Sequence, residues 1–242
     1  MYILGIETTT PIMSIALSED EKLLEEVSAD CGQSQVVEII PRIDNVLEKK
    51  NMDLSQIDLI GVDIGPGMFT GTRIGLTVAK TLSQVNSINI VGVTSLNVLA
   101  YQAMNFLYKS KNENIESDKF CIFPIINAKR EEVYCSIFTF RKFSLKKIDK
   151  DKLLKIDELE QKIIDLISNY NNIILCGNGL IEYKHISNKF KKEKEIIFFK
   201  DIIVPEANAI NSLAFNKYLK GKVNDFIKLT PKYVRQFKPF RK

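Results

Sequence analysis

Residues 65–75 read Gly-Pro-Gly-Met-Phe-Thr-Gly-Thr-Arg-Ile-Gly, and four of the chain's 11 glycines lie in them. The apolar run 59–64 precedes this stretch and an amphipathic pattern follows it, so it must join a strand to a helix. Such a junction favours anions, because free backbone N–H groups converge there and the helix dipole attracts negative charge. Spacing excludes two phosphate-binding motifs. No glycine pair is placed for a Walker loop, which also needs a Gly-Lys step. The dinucleotide fingerprint starts with Gly65 and Gly67, but its third position holds Thr70.

The helix offers a second reading. Gly71, Gly75 and Ala79 recur every four residues and leave one side smooth, which lets a second element approach closely. Glycine inside a helix costs about 1 kcal/mol relative to alanine, so close packing is a reasonable cause. Spacing alone does not say whether the neighbour belongs to this chain or to another.

Around this junction the chain alternates strands and helices. Residues 2–7, 12–18 and 22–28 read as three strands joined by hairpin turns, with Ile12, Ser14, Ala16 and Ser18 opposing Met13, Ile15 and Leu17. Ser34 can cap a helix running to about 50, in which Pro41 predicts a kink or two helical pieces. A strand at 58–64, a helix at 72–85 and a strand at 88–93 follow. A further helix, capped by Thr94 or Ser95, runs to about 108. The polar stretch 109–118 has the composition of a linker. We therefore expect one lobe at 1–108 and a second at 109–242. The second lobe reads as strands at 119–127, 131–140 and about 143–149, a helix at 157–170, and a strand at 172–176. A short helix, a strand at 195–199 and a helix at about 205–220 complete it, and that last helix can pack back on the first lobe. The two lobes share one order without repeating a sequence. The fold class is α/β, with two lobes built of mixed sheets flanked by helices.

Charge and cysteine usage exclude little. The net charge is +4, from 34 Lys and Arg against 30 Asp and Glu, and no apolar run approaches the roughly 20 residues of a membrane span. Cys31, Cys121, Cys135 and Cys176 show no Cys-x-x-Cys spacing, which argues against a zinc knuckle and for reduced thiols in a cytoplasmic protein. Basic residues gather late: Lys228, Lys232, Arg235, Lys238, Arg241 and Lys242, with Phe226, Tyr233, Phe237 and Phe240 among them. This pattern suits an RNA-facing tail or a solvated terminus with a few docked residues.

Catalytic constellations are sparse. His185 is the sole histidine and lies in a polar stretch, so His-based metal sites and Ser-His-Asp triads are poorly supplied. Glu7 and Asp63 end two strands. They read either as a paired-carboxylate Mg²⁺ site or as polar groups held by loop N–H donors. Residues 127–131, Asn-Ala-Lys-Arg-Glu, read as a charged hairpin.

The run GPGMFTGTRIGLTVAKTLSQ closely resembles the GPGSFTGLRIG…AKGLA signature of the TsaB (YeaZ-type) proteins. ILGIETTT with IMSIAL, QSQVVEIIPRIDNVL, GVTSLNVLA, NAKREEVYCSIF, CGNGL, VPEANAINSLA and LTPKYVRQ match further family elements in order, so the resemblance covers nearly the whole chain. It departs from the family pattern at Glu7, Gln33 and Asn127, where Asp, His and Asp are usual.

That resemblance implies two ribonuclease-H-like lobes of the actin, sugar kinase and heat-shock chaperone superfamily. It implies a non-catalytic scaffold for TsaD, the subunit that transfers threonylcarbamoyl to the tRNA adenosine beside the anticodon. A TsaE-type ATPase joins that pair, and tRNA is met through the complex. TsaD-like members carry an HxxxH metal pair, whereas residues 33–47 here hold no histidine, so no metal and no catalytic residue is carried over. The expected partner interface is Val36, Ile40, Ile43, Gly71, Arg73, Ile74, Gly75, Val78 and Ala79, a face that would also pair two copies of the chain in the partner's absence. No cofactor is firmly implied. Weak ATP or ADP contact would involve Glu7, Thr8, Thr9, Gly65 and Gly67. The alternative is a nucleotide-dependent kinase- or ligase-like enzyme of the same superfamily.

Overall fold

The computed structural model describes residues 1–110, 120–141 and 144–235. The chain forms two compact units: Met1–Gln102 with Val204–Pro231, and Ala103–Ile203 with the chain from Lys232 onward. The expected single cut after 108 therefore differs from the observed division, in which a late segment returns to the first unit.

In the first unit, β1 (Tyr2–Glu7), β2 (Ile12–Glu19) and β3 (Lys22–Asp30) form an antiparallel meander. After α1 (Gln35–Glu48) and a 3-10 turn, β4 (Leu59–Asp63) runs parallel to β1. Beyond α2 (Phe69–Asn86), β5 (Asn89–Val93) runs parallel to β4. The order β3-β2-β1-β4-β5 is ribonuclease-H-like. α3 (Ser95–Ser110) then leads into the second unit. Pro41 sits inside α1, which is one continuous helix rather than two pieces. Its missing N–H falls on the exposed side of α1, where no packed neighbour forces a break. Ser34 precedes α1 without capping it, because its hydroxyl donates to Cys31 O at 2.7 Å.

Strand alternation divides the core between the two faces of this sheet. Leu4, Ile6, Ile15, Ile60 and Val62 pack with Ile39 and Ile43 of α1 and Leu76 and Ala79 of α2. On the opposite face, Ile3, Leu59, Val91 and Val93 meet Val98 and a late helix carrying Ile210 and Ala214. Gly5 and Gly61 are paired across β1 and β4, and both point toward that late helix. A Cβ on Gly5 would strike Asn211 and Ala207 O, and one on Gly61 would strike Ile210 and Ala214. The glycine pair therefore forms the trough in which the helix lies.

The second unit uses the same order. β6 (Phe120–Asn127), β7 (Glu132–Cys135), β8 (Phe138–Arg141), β9 (Ser144–Lys147) and β10 (Lys152–Lys155) precede α4 (Ile156–Ile167) and β11 (Asn172–Cys176). Next come α5 (Gly179–Glu182), α6 (Lys184–Lys189) and β12 (Ile196–Phe199). α7 (Ala207–Tyr218), the late helix of the first unit, ends the series. The path β10-β7-β6-β11-β12 is extended by β8, which pairs with β6 and β9. The strand expected over 131–140 is interrupted at Ser136 and Ile137. Both halves keep one register against β6, with Ile125 opposite Cys135 and Ile122 opposite Phe138. Its outer neighbour is also split: Phe138 faces Lys147 whereas Cys135 faces Lys152, so 148–151 bulges from the ladder. Ser136 Oγ donates to Asp149 O at 2.9 Å, and Ile148 N to Ile137 O at 2.9 Å, fixing the bulge.

All four cysteines are free and buried. Burial pushes the Cys121 and Cys135 thiols up to about 12, so both act as small apolar side chains. No helix among the described residues is long and apolar enough to cross a membrane. Most of the stretch 109–118, and Phe237, Lys238, Phe240, Arg241 and Lys242 of the basic run, lie outside the described residues.

Candidate functional site

The β1–β2 turn, the glycine loop and the starts of α1 and α2 converge on one polar hub. Thr8 Oγ1 donates to Gly71 O at 2.8 Å, Met68 N to Thr9 O at 2.7 Å, and Gln35 Nε2 to Thr10 O at 2.5 Å. The glycines permit this approach. A Cβ on Gly67 would strike Thr9 O, one on Gly71 would strike Thr8 O and Gln35 Oε1, and one on Gly75 would strike Thr8 Oγ1. The smooth stripe of α2 thus faces its own chain.

Glu7 and Asp63 lie fully buried inside the hub. Glu7 Oε1 accepts from Thr9 N and Thr9 Oγ1, both at 2.6 Å. Asp63 Oδ1 accepts from Gly65 N at 2.7 Å and Ser95 Oγ at 2.8 Å. The remaining oxygens, Glu7 Oε2 and Asp63 Oδ2, are buried and have no hydrogen-bond partner among the described residues. Burial, then the charge of Asp63, pushes the Glu7 carboxyl well above its usual range. Burial also raises Asp63, to about 6, against the pull of its hydrogen bonds. Both shifts favour the protonated form, so the buried pair holds its protons more tightly than free carboxyls do. Of the residues expected to touch a nucleotide, the side chains of Glu7, Thr8 and Thr9 are at most 1% exposed and Gly65 is buried, whereas Gly67 is half-buried.

The interface residues expected from sequence divide into two sets. Ile43, Gly71, Gly75 and Ala79 are buried in the chain's own core, which corrects their assignment to an outward face. The physical reason is the close approach of the β1–β2 turn, which needs the same small side chains that a foreign helix would need. Val36, Ile40 and Arg73 are exposed, while Ile74 and Val78 are half-buried. Val37 and Phe69 join the outward set and were missed. Val36, Val37, Ile40 and Phe69 are 64%, 66%, 45% and 52% exposed, all on the outer sides of the adjoining helices α1 and α2. Arg73 covers the Phe69 ring, its guanidinium carbon 3.7 Å from the centroid. Adjacent apolar residues at 36 and 37 were the available signal, since a helix buried on one stripe cannot hide both.

Comparison with known proteins gives this geometry a family. The family model described as "TsaD: tRNA N6-adenosine threonylcarbamoyltransferase" matches residues 29–236. The chain is a TsaB/YeaZ-type member of that family. Its similarity to the tRNA threonylcarbamoyladenosine biosynthesis protein TsaB of Buchnera aphidicola subsp. Schizaphis graminum is 29% identity over 226 residues, 93% of this chain and 98% of the relative. The Bacillus subtilis TsaB is 30% identical over 152 residues, 63% of this chain and 61% of the relative. A Pseudomonas aeruginosa protein with similarity to peptidase YeaZ superposes with a TM-score of 0.78 at 20% identity, covering 97% of this chain and 99% of that one. That likeness shows the fold.

The buried face of α1 carries no metal-ligating side chain. Its buried positions are Gln35, Ile39, Ile43, Val46 and Leu47, none an imidazole or a carboxylate. Among the described residues no group of three or more His, Cys, Asp or Glu is placed to hold a metal ion. Asn127, at the end of β6, accepts from Lys129 N at 2.8 Å and anchors a hairpin whose Lys129, Arg130 and Glu131 all have positive φ.

Proposed function

We propose that this chain serves tRNA threonylcarbamoyladenosine biosynthesis as a non-catalytic subunit that binds and supports a TsaD-type transferase. The docking face is the outer side of α1 with the start of α2, and a TsaE-type ATPase joins the pair. The chain meets tRNA through the complex. The observation carrying this reading is the exposure of Val36, Val37, Ile40 and Phe69 on adjoining helices. Four large apolar side chains held out to water cost free energy unless a partner covers them, and interface cores have this composition. The carboxyls of Glu7 and Asp63 are fully buried, so they supply no exposed acid or base and fit a structural role.

The test is copurification of a TsaD-type subunit with the wild-type chain and with Val37→Asp/Ile40→Asp, followed by reconstitution of the tRNA modification. Loss of both association and modification, with the variant's melting temperature intact, is expected. Full association by the folded variant would place the interface elsewhere. A second copy of the chain competing for the same face would appear as a homodimer that the same double variant dissolves.

A further inference from the structure

The second unit carries a cationic cleft that the docking face does not use. It is about 630 Å³ in volume and is lined by the 148–151 bulge, Lys147 and the segment Lys232, Tyr233 and Val234. At its base lies Asp151, whose side chain is 1% exposed and which pairs with both Lys147 and Lys232. The carboxylate is buried, whereas the side chains of Lys147 and Lys232 that pair with it are 26% and 42% exposed. An ammonium has three donors and Asp151 engages one on each lysine, so the others remain for a ligand. Lys147 also lies over the Phe138 ring, 5.4 Å from its centroid, which limits its rotamers. Asp149, the other acid in the lining, is paired with Lys152 at 2.7 Å and accepts from Lys150 N at 2.8 Å. The Lys150 ammonium is exposed and has no acidic partner among the described residues.

Three ammonium groups, two of them fixed in position by one buried carboxylate, form a cradle suited to phosphate oxygens. Tyr233, an aromatic residue 49% exposed, also lines the cleft. Lysines that track a backbone beside a ring that takes a base are the features by which proteins hold unpaired polynucleotides. We propose that this cleft binds an unpaired RNA segment, its phosphates on Lys147, Lys150 and Lys232 and a base on Tyr233. The choice of RNA over DNA rests on the function proposed above, whereas the cleft's charge and ring stand without it.

The experiment is fluorescence anisotropy of a labelled single-stranded oligoribonucleotide with the full chain alone, across a salt series. Partner docking does not enter, so its failure and the failure of this proposal are separable. Binding that weakens with salt is expected for the wild type. Lys150→Glu and Tyr233→Ala should each weaken it about tenfold. Lys192→Glu, the same charge change at an exposed lysine outside the cleft, should stay within about twofold. Equal losses for Lys150→Glu and Lys192→Glu would reduce the effect to net charge and overturn the site. Absence of salt-sensitive binding by the wild type would overturn it outright. Competition by adenosine monophosphate as strong as by the oligonucleotide would replace a strand by a mononucleotide and also overturn the proposal.

Discussion

Thr8 lies across Gly75 so closely that a single added methyl group on the glycine would meet the threonine hydroxyl. That hydroxyl is already committed to Gly71 O at 2.8 Å. The β1–β2 turn and α2 are thereby locked at two successive helical turns, and the spacing of four residues between the glycines follows from this lock.

Substitution at these glycines should follow the nature of the obstacle. Gly75→Ala meets a side-chain oxygen that can rotate at the expense of its hydrogen bond. Gly71→Ala meets the Thr8 carbonyl, which is backbone. Overpacking costs about 1–3 kcal/mol, and alanine returns about 1 kcal/mol of helix propensity. Urea denaturation should show Gly75→Ala destabilised by roughly 0–2 kcal/mol and Gly71→Ala by more. The reverse order would refute the lock.

The buried carboxyls predict a pH dependence of definite sign. Both groups are raised in the folded chain, so the folded state retains protons that the unfolded state releases above about pH 4. Their stabilisation is complete below that pH and is lost as pH rises through the folded values, of which Asp63's is about 6. The slope approaches 1.4 kcal/mol per pH unit for each retained proton, at most. In Glu7→Gln the amide oxygen can accept the Thr9 bonds while its nitrogen donates to Asp63. Denaturation midpoints from pH 5 to 9 should therefore fall in the wild type and flatten in this variant. A wild-type curve already flat would contradict the raised carboxyls.

Asn211 gives a test of the opposite face of the sheet. Its side-chain nitrogen donates to Ile3 O and Ala16 O at 3.2 Å and to Ser18 Oγ at 2.9 Å, all buried. Asn211→Ala leaves these acceptors short of a donor and should cost about 1–3 kcal/mol. Amide exchange should rise first in α7, since its anchor to β1 and β2 is what is lost.

At the proposed docking face a single charge should suffice. Ile40→Asp places a carboxylate where a partner would exclude water and should raise the dissociation constant for a TsaD-type subunit roughly 10- to 100-fold. Titration calorimetry measures this directly, and an unchanged constant would remove Ile40 from the interface.

Much of the first unit is legible in the sequence because its strands alternate cleanly. The opposing sets in 12–18 mark a strand without any help from tertiary structure. The split of β7 from β8 and the bulge at 148–151 are not legible. They depend on Ser136 meeting Asp149 O and Ile137 meeting Ile148, which are contacts between neighbouring strands. The direction of the α2 stripe is hidden for a related reason. Four-residue spacing names a face of a helix, but a glycine stripe admits a foreign helix and the chain's own threonine equally well. Gln35 supplies the missing clue only once folded, when its amide bonds Thr10 O and its oxygen flanks Gly71.

The placement of α7 has a consequence for how the molecule is made. Five strands of the first unit emerge early from the ribosome, yet the helix that fills the Gly5–Gly61 trough is encoded after Ala103–Ile203 of the second unit. Translation at roughly 5–20 residues per second leaves that trough unfilled while the intervening segment is synthesised. The nascent chain thus carries an open apolar sheet face for several seconds, and the first lobe begun is among the last completed.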